Sequence, residues 1–254
     1  MNPAGAPMAV APVSLDGRFA RLRPITQADY GFLWECRCHP EIMYLWMQGR
    51  TLPTFEQYVN ELESAMRGTI LQMMMIETRD DPHPVGFIFA YDYNRWDRHT
   101  FFTIAIHPAY TGFGWGAEAT LLFLNHLFAY MDLRKIYMEI YEFNNSSLAP
   151  LLRAGAHEEG RFRAHRYYQG AYHDVIRLAA TREEWSETGA KLAMLLAPRK
   201  AEASPESNGQ QQQNGVAAER IPSADDAPIQ TLAVMLDSTV PVNVDADMAE
   251  PSDN

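Results

Sequence analysis

The segment Ile104 to Ala119, IAIHPAYTGFGWGAEA, restricts the fold of this chain more than any other: an apolar run, a proline, glycine at alternate positions (Gly112, Gly114, Gly116), then helix formers. Glycine at every second position leaves backbone amides uncovered, and a helix starting directly behind them adds four unpaired N–H groups and a positive dipole end. Such a turn predicts a phosphate cradle. Its flanks agree. Thr100 to Ile106 (TFFTIAI) is rich in β-branched and aromatic residues, as a buried strand should be. Ala117, Leu121, Leu122, Leu124 and Phe128 recur at helical spacing, with Glu118 in the first turn where negative charge suits the dipole. A dinucleotide-binding GxGxxG needs its third glycine three residues after the second, whereas this chain has GxGxG. No Gly-Lys-Ser/Thr follows to make a nucleotide-triphosphate loop.

The 254 residues, 47% of them hydrophobic, suffice for one sizeable domain and its core. No run approaches the ~18 to 20 apolar residues of a membrane span, and the N-terminus lacks a basic stretch ahead of an apolar one, so the protein is expected to be cytoplasmic. Of the formal net charge of −11, residues 200–254 carry −8 and the rest −3, and neither portion presents the basic stripe that nucleic-acid binding needs. Cys36 and Cys38 lie one residue apart in a predicted helix, where their side chains diverge, which disfavours a disulfide. With His39 they offer three potential ligands in a single run and no second cluster, short of zinc-site spacing, so no metal is expected.

Residues 1–13, rich in Ala, Pro and Gly, are expected to be disordered, ahead of one domain over residues 14–197 and a disordered acidic tail over 198–254. Arg18 to Arg23 reads as a first strand. Thr26 with Asp29, Thr54 with Gln57 and Thr181 with Glu184 are capping-box signals for three helices, the last running to about Leu196. Between them, Ile70 to Thr78 and Val85 to Asp92 read as strands joined by RDDPHP, and Asn94 to Arg98 as the turn before the strand that leads into the cradle. Three adjacent strands plus a strand–helix–strand unit imply a mixed sheet flanked by helices. In the tail, residues 229–244 (IQTLAVMLDSTVPVNV) form one apolar patch, either unstructured or a docking segment.

Taken with the segments downstream, the cradle resembles the coenzyme A signature of the GNAT superfamily of N-acyltransferases, (R/Q)xxGx(G/A) behind a strand and a His/Asn-Pro step. Gly114 and Gly116 match it, and Thr111 stands at the Arg/Gln position. Lys135 to Phe162 resembles the family's fifth strand, asparagine, helix and closing glycine, with Asn144, Ser147 and Gly155 at the family spacing. Tyr167 to Trp185, together with Leu22, Arg23, Pro24 and Asp29 at the front, resembles the RimJ/RimL-like branch, which includes ribosomal-protein N-acetyltransferases. The resemblance spans about Arg18 to Trp185. It implies an α/β (α+β) GNAT fold with a mixed, mostly antiparallel sheet of six to seven strands. It also implies an acyl-CoA co-substrate, acetyl-CoA first among them, and direct transfer to a primary amine of a small molecule, peptide or protein N-terminus, by a monomer or homodimer.

Carried over by position, the resemblance assigns coenzyme binding to Ile104, Ala105 and Ile106, to Thr111, Gly112, Phe113, Gly114, Trp115, Gly116 and Ala117, and to Asn144 and Ser147. In the family a bulge in the strand before the cradle frees an amide to polarise the thioester carbonyl, at the positions of Ile104 to Ile106 here. The family's thiolate-protonating tyrosine, seven residues after the asparagine, is Leu151 in this chain, so Ser147, a water or a tyrosine from elsewhere must substitute. Independently of the family, strand alternation puts Tyr137, Glu139 and Tyr141 on one face and Ile136, Met138 and Ile140 on the other. With the aliphatic face in the core, Glu139 falls nearer the cleft, as a general base of raised pKa or as a solvated or ion-paired strand residue. Tyr44, Trp46 and Met47 fall where this branch caps the substrate side; Tyr44, Trp46 and His173 are the candidate acceptor contacts. His165 and Asp174, on the same hairpin as His173, read as surface or turn residues or as further acceptor contacts. Trp34 and Met73 to Met75 read as core or pocket. A non-catalytic acyl-CoA sensor, with the tail as its working part, is the competing class.

Overall fold

Apolar runs rich in β-branched and aromatic residues, punctuated by turn residues, form seven strands of one sheet. The computed structural model describes residues 14–45 and 51–187. In chain order they form β1 (Ala20–Pro24), α1 (Tyr30–Cys38), α2 (Pro40–Leu45), α3 (Phe55–Gly68), β2 (Ile70–Thr78), β3 (Pro84–Asn94) and β4 (His99–Ile106). There follow α4 (Trp115–Tyr130), β5 (Lys135–Tyr141), α5 (Asn145–Arg153), β6 (His157–Tyr168) and β7 (Ala171–Thr181). The strand order is β1-β2-β3-β4-β5-β7-β6. Every neighbouring pair is antiparallel except β4 and β5, which run parallel because α4 carries the chain back between them. The expected mixed sheet of six to seven strands is therefore present, with seven.

The capping signals act as expected. Thr54 Oγ1 accepts from the Gln57 amide at 3.2 Å while Gln57 Oε1 accepts from the Thr54 amide at 2.9 Å. Asp29 accepts from the Thr26 amide at 2.7 Å, ahead of a single 3-10 turn and α1. Glu184 Oε2 accepts from the Thr181 amide at 3.1 Å, and residues 182–187 are helical. The expectations for residues 1–13, for the remainder of that helix, for the tail and for its apolar patch lie outside the described residues. Sequence reading missed α2, a six-residue helix whose signal is Pro40 at its first position. The β6–β7 turn is Gln169–Gly170, both at positive φ (46° and 87°), the two-residue geometry that matches strand twist.

The sheet buries both faces over β2 to β4. On one, Leu33, Cys36, Ile42, Tyr58 and Leu62 from α1 to α3 meet Met73, Met75, Phe87 and Phe89, with Trp34 packed against them. On the other, α4 contributes Phe123, Leu124 and Leu127, all buried. Met73 to Met75 and Trp34 thus belong to the core. Cys36 and Cys38 are free thiols, and burial pushes that of Cys36 up to about 12, so it stays protonated and unreactive near neutral pH.

Arg23 fixes the start of α1 to the sheet. Its guanidinium donates to both Asp29 carboxylate oxygens at 2.7 Å and to Glu77 at 2.6 Å. Hydrogen bonding from Arg23 holds the Asp29 carboxyl below its usual value of 3.8. The folded-state pKa lies under the unfolded one, so this contribution is complete above about pH 4 and is lost as pH falls through the folded value. Asp29→Asn is expected to lower stability at pH 7 while flattening the acid limb. Urea midpoints measured between about pH 3 and pH 7 check this.

Candidate active site

β4 ends at Ile106, one 3-10 turn spans Pro108–Tyr110, and α4 begins at Trp115 with Gly114 as N-cap. Gly112 and Gly114 adopt φ of 94° and 80°, where any side chain would be strained. Gly116 faces the strand: a Cβ there would sit 3.2 Å from Ile106 Cγ1. Among the described residues, the amides of Gly112, Phe113, Gly114, Trp115, Gly116 and Ala117 donate to no backbone or side-chain acceptor. Six adjacent donors at the positive end of a helix dipole have the chemistry to receive an anion. Phe113 and Trp115 stack on each other beside it, 4.8 Å between centroids. Thr111 donates its hydroxyl to Pro108 O at 3.0 Å, so this side chain is spent within the turn.

The helix that presents these amides is anchored from inside. Glu118 is 2% exposed, and its carboxylate accepts three backbone amides of the β1 approach, Arg18 at 2.6 Å, Phe19 at 2.8 Å and Ala20 at 2.7 Å. Gly17 makes room, since a Cβ there would fall 2.5 Å from Glu118 Cδ. Sequence reading placed Glu118 as a dipole partner only; its partners are about 100 residues away and invisible to local pattern.

β4 and β5 pair only from His99 to Phe101 against Lys135 to Tyr137, then diverge, while β4 stays paired with β3 as far as Ile106. The amide of His107 donates back to Val85 O. By ladder alternation, the N–H groups of Ile104 and Ile106 then turn away from β3, into the gap beside β5. This corrects the bulge expected at Ile104 to Ile106. Pairing with β3 is unbroken there, and the register shift falls between Tyr91 and Asn94 of β3, where Asp92 takes φ of 52°. Divergence of two parallel strands frees the edge. Ile104, Ala105 and Ile106 are half-buried, not fully buried core residues.

Across the gap, Asn144 caps α5. Its carbonyl accepts from the amides of Ser147 at 3.1 Å and Leu148 at 3.0 Å, and its Oδ1 accepts from the Ser146 hydroxyl at 2.8 Å. Ser147 is half-buried, with no described partner for its hydroxyl. Because β4 and β5 are parallel, the N-termini of α4 and α5 stand at the same end of the sheet, beyond the strand C-termini at a topological switch point. The topology thus places Ile104 to Ile106, Gly112 to Ala117, Asn144 and Ser147 at one end of the sheet.

Glu139 lies differently from a cleft base. Ile136, Met138 and Ile140 are buried as expected, and Tyr141 is buried too. Glu139 Oε1 accepts from Arg177 of β7, from Nε at 3.0 Å and also from Nη2. The same guanidinium lies over Phe101 at 5.2 Å and Phe162 at 4.9 Å. The carboxylate is engaged as the partner of a stacked arginine, an arrangement set by β5–β7 pairing that sequence alone did not show. His173 bonds Glu142 at 2.9 Å and meets the Phe143 ring edge at 4.7 Å. Asp174 accepts from the Ala164 amide at 2.8 Å and stitches the hairpin, while His165 lies 5.2 Å from the Phe162 ring. Trp46 and Met47, and the side chain of Tyr44, lie outside the described residues. Among the described residues, no group of three or more His, Cys, Asp and Glu side chains could hold a metal ion, and no helix is long and apolar enough to cross a membrane.

Comparison with known proteins agrees with this geometry. Residues 20–157 match the Acetyltransferase (GNAT) domain family. An uncharacterized N-acetyltransferase of Bacillus subtilis, YokL, from the SPbeta prophage, is 30% identical over 45% of this chain, which spans 64% of that relative's length. Spermidine N(1)-acetyltransferase of Escherichia coli is 20% identical over 65% of this chain and 87% of its own. Among solved structures, spermidine N-acetyltransferase of Vibrio cholerae, in complex with CoA and spermine, superposes with a TM-score of 0.61 at 20% identity. That match covers 66% of this chain and 98% of the other. A GNAT-family acetyltransferase of Bacillus anthracis gives 0.57 at 19% identity, over 66% of this chain and 98% of its own. The free amides at Gly112 to Ala117, the parted strands above them and the family match over more than half the sequence lead to one statement: this chain belongs to the GNAT acetyltransferase family.

Proposed function

We propose that the protein is an acyl-CoA-dependent N-acyltransferase of the RimJ/RimL-like branch, with acetyl-CoA as donor and the primary amine of a small molecule as acceptor. The observation that carries the reading is the unbroken set of free amides from Gly112 to Ala117, continuous with the exposed edge of β4. Those amides suit a diphosphate, and the glycines leave them open to it. The Ile104 and Ile106 N–H groups, fixed by their strand, suit a carbonyl oxygen that gains negative charge, and preorganised donors of this kind are often the largest catalytic term. Acyl-CoA supplies an activated thioester. Ser147 Oγ, without a described partner, is the group proposed to give a proton where the family's tyrosine is replaced by Leu151. Asn144 holds α5 and so fixes Ser147.

The small-amine acceptor is supported by the relatives that act on spermidine, and the branch by the closing hairpin and front strand. Calorimetry with acetyl-CoA, followed by thiol release over a panel of polyamines, amino acids and peptides, tests the proposal. Binding with turnover of an amine is expected; binding without turnover on any amine favours the sensor reading, and no binding defeats both. Within the same assay Glu139→Gln is expected to keep kcat/KM within about fivefold, because the glutamate holds Arg177, whereas loss of a base costs about 100-fold or more. A loss of that size, with the acid limb of the pH profile abolished, would restore Glu139 as the base.

A further inference from the structure

A cavity of about 350 Å3 lies between α1, α3 and the strands β2 and β3, walled by Leu62, Met73, Phe89 and Tyr91. Two polar side chains in its lining are almost wholly buried, Arg37 at 8% exposure and Tyr58 at 5%. Arg37 Nη2 donates to Thr51 O at 3.2 Å, but its Nη1 has no hydrogen-bond partner, and neither has the Tyr58 hydroxyl. Burial pushes that hydroxyl far above its usual pKa of 10.0, so it is held as a donor. Glu61 and Asp92 also border the cavity, but both are exposed and neither hydrogen-bonds Arg37.

A buried donor without an acceptor is destabilising, more so when charged, and two such donors on residues lining one cavity call for an acceptor within it. Water satisfies hydrogen bonds without neutralising a guanidinium. A carboxylate does both, and its two oxygens match a planar fork plus one hydroxyl. Glu61 and Asp92 disfavour a dianion, and the apolar wall favours an organic body of a few heavy atoms. Phe89 and Tyr91 pair with Thr103 and Phe101, three and five residues before Ile106, so the cavity is set back from the end of β4 by about 10–17 Å along the strand. It is no part of the acyl-donor surface. Its Tyr91 ring continues through Phe101 at 5.7 Å to Tyr137 at 5.3 Å, towards the point where β4 and β5 part.

We propose that this cavity binds an organic monocarboxylate, whose oxygens accept from Arg37 Nη1 and Tyr58 Oη. The carboxylate belongs either to the amine acceptor or to a separate acid. Its binding stands apart from the acyl-transfer reading; only the choice between those sources rests on it. The test titrates the full chain, at constant ionic strength, with acetate, benzoate and glycine, and with benzylammonium as a control. At least one carboxylate is expected to saturate, and benzylammonium not to. Arg37→Met is expected to weaken that carboxylate about tenfold or more, and Tyr58→Phe, which removes only the hydroxyl, about fivefold, with acetyl-CoA affinity unchanged in both. If Arg37→Met fails to fold, Tyr58→Phe decides alone. The proposal is overturned if no carboxylate binds the wild-type chain below about 10 mM, or if the variants that fold bind it as tightly as wild type. Two supporting outcomes separate the sources. For a carboxylate on the acceptor, Tyr58→Phe raises KM for an amino acid but not for the matching amine without its carboxyl. For a separate acid, benzoate changes the KM of a carboxylate-free amine in wild type and not in Tyr58→Phe.

Discussion

Glu118→Ala is expected to lower the melting temperature by about 10 °C, the largest stability loss foreseen for a single polar side chain here. Three backbone amides, those of Arg18, Phe19 and Ala20, end on this one carboxylate, and Ala20 is wholly buried. Removing the acceptor strands all three donors at about 1–3 kcal/mol each, partly offset by water reaching the outer two, for a net loss of about 4 kcal/mol. Each kcal/mol moves the melting temperature of a domain this size by about 2–4 °C. Glu118→Gln keeps one oxygen and turns an NH2 towards the amides, so it should lose about half as much. Differential scanning calorimetry of the two variants decides the matter; equal melting temperatures for wild type and Glu118→Ala would falsify the anchoring role.

Gly114→Val is expected to leave the fold standing and to weaken acetyl-CoA binding by about 100-fold, read by calorimetry. Gly114 holds φ of 80°, which costs a side chain about 1–2 kcal/mol and a β-branched one more. The chain can relieve that strain only by turning the peptide units on either side of Gly114. Doing so redirects the neighbouring amides, and the added isopropyl group crowds them. Gly68→Ala is the matched control, because Gly68 ends α3 and a Cβ there meets nothing within 4 Å. It should bind acetyl-CoA as wild type does. Wild-type affinity in Gly114→Val would instead show that the amides of the turn are not the donor surface.

Much of this architecture was written locally. The three capping boxes, the apolar runs of β2 and β3 between turn residues, the alternation of β5 and the glycine spacing after β4 depend on close neighbours in the chain, so pattern and propensity reach them directly. Asn144 and Gly155, which the family resemblance picked out, lie at the two ends of α5, the one capping it and the other at φ of 92° behind it. Where sequence reading stopped short, the interaction is long in sequence. Glu139 reads as a strand carboxylate until β7 supplies Arg177, 38 residues on, and nothing local to Arg37 shows that it lines a cavity with Tyr58 of α3.

The chain by itself determined that a strand must end in a turn of exposed amides backed by a helix, because glycine conformation, helix dipole and apolar period act over a few residues. Only the tertiary structure decided that β4 and β5 part after Phe101 and Tyr137, that Glu118 is spent on β1 and that Arg37 and Tyr58 share one cavity. The reason is physical: strand divergence, buried carboxylates and cavities arise from packing between segments that no local period relates.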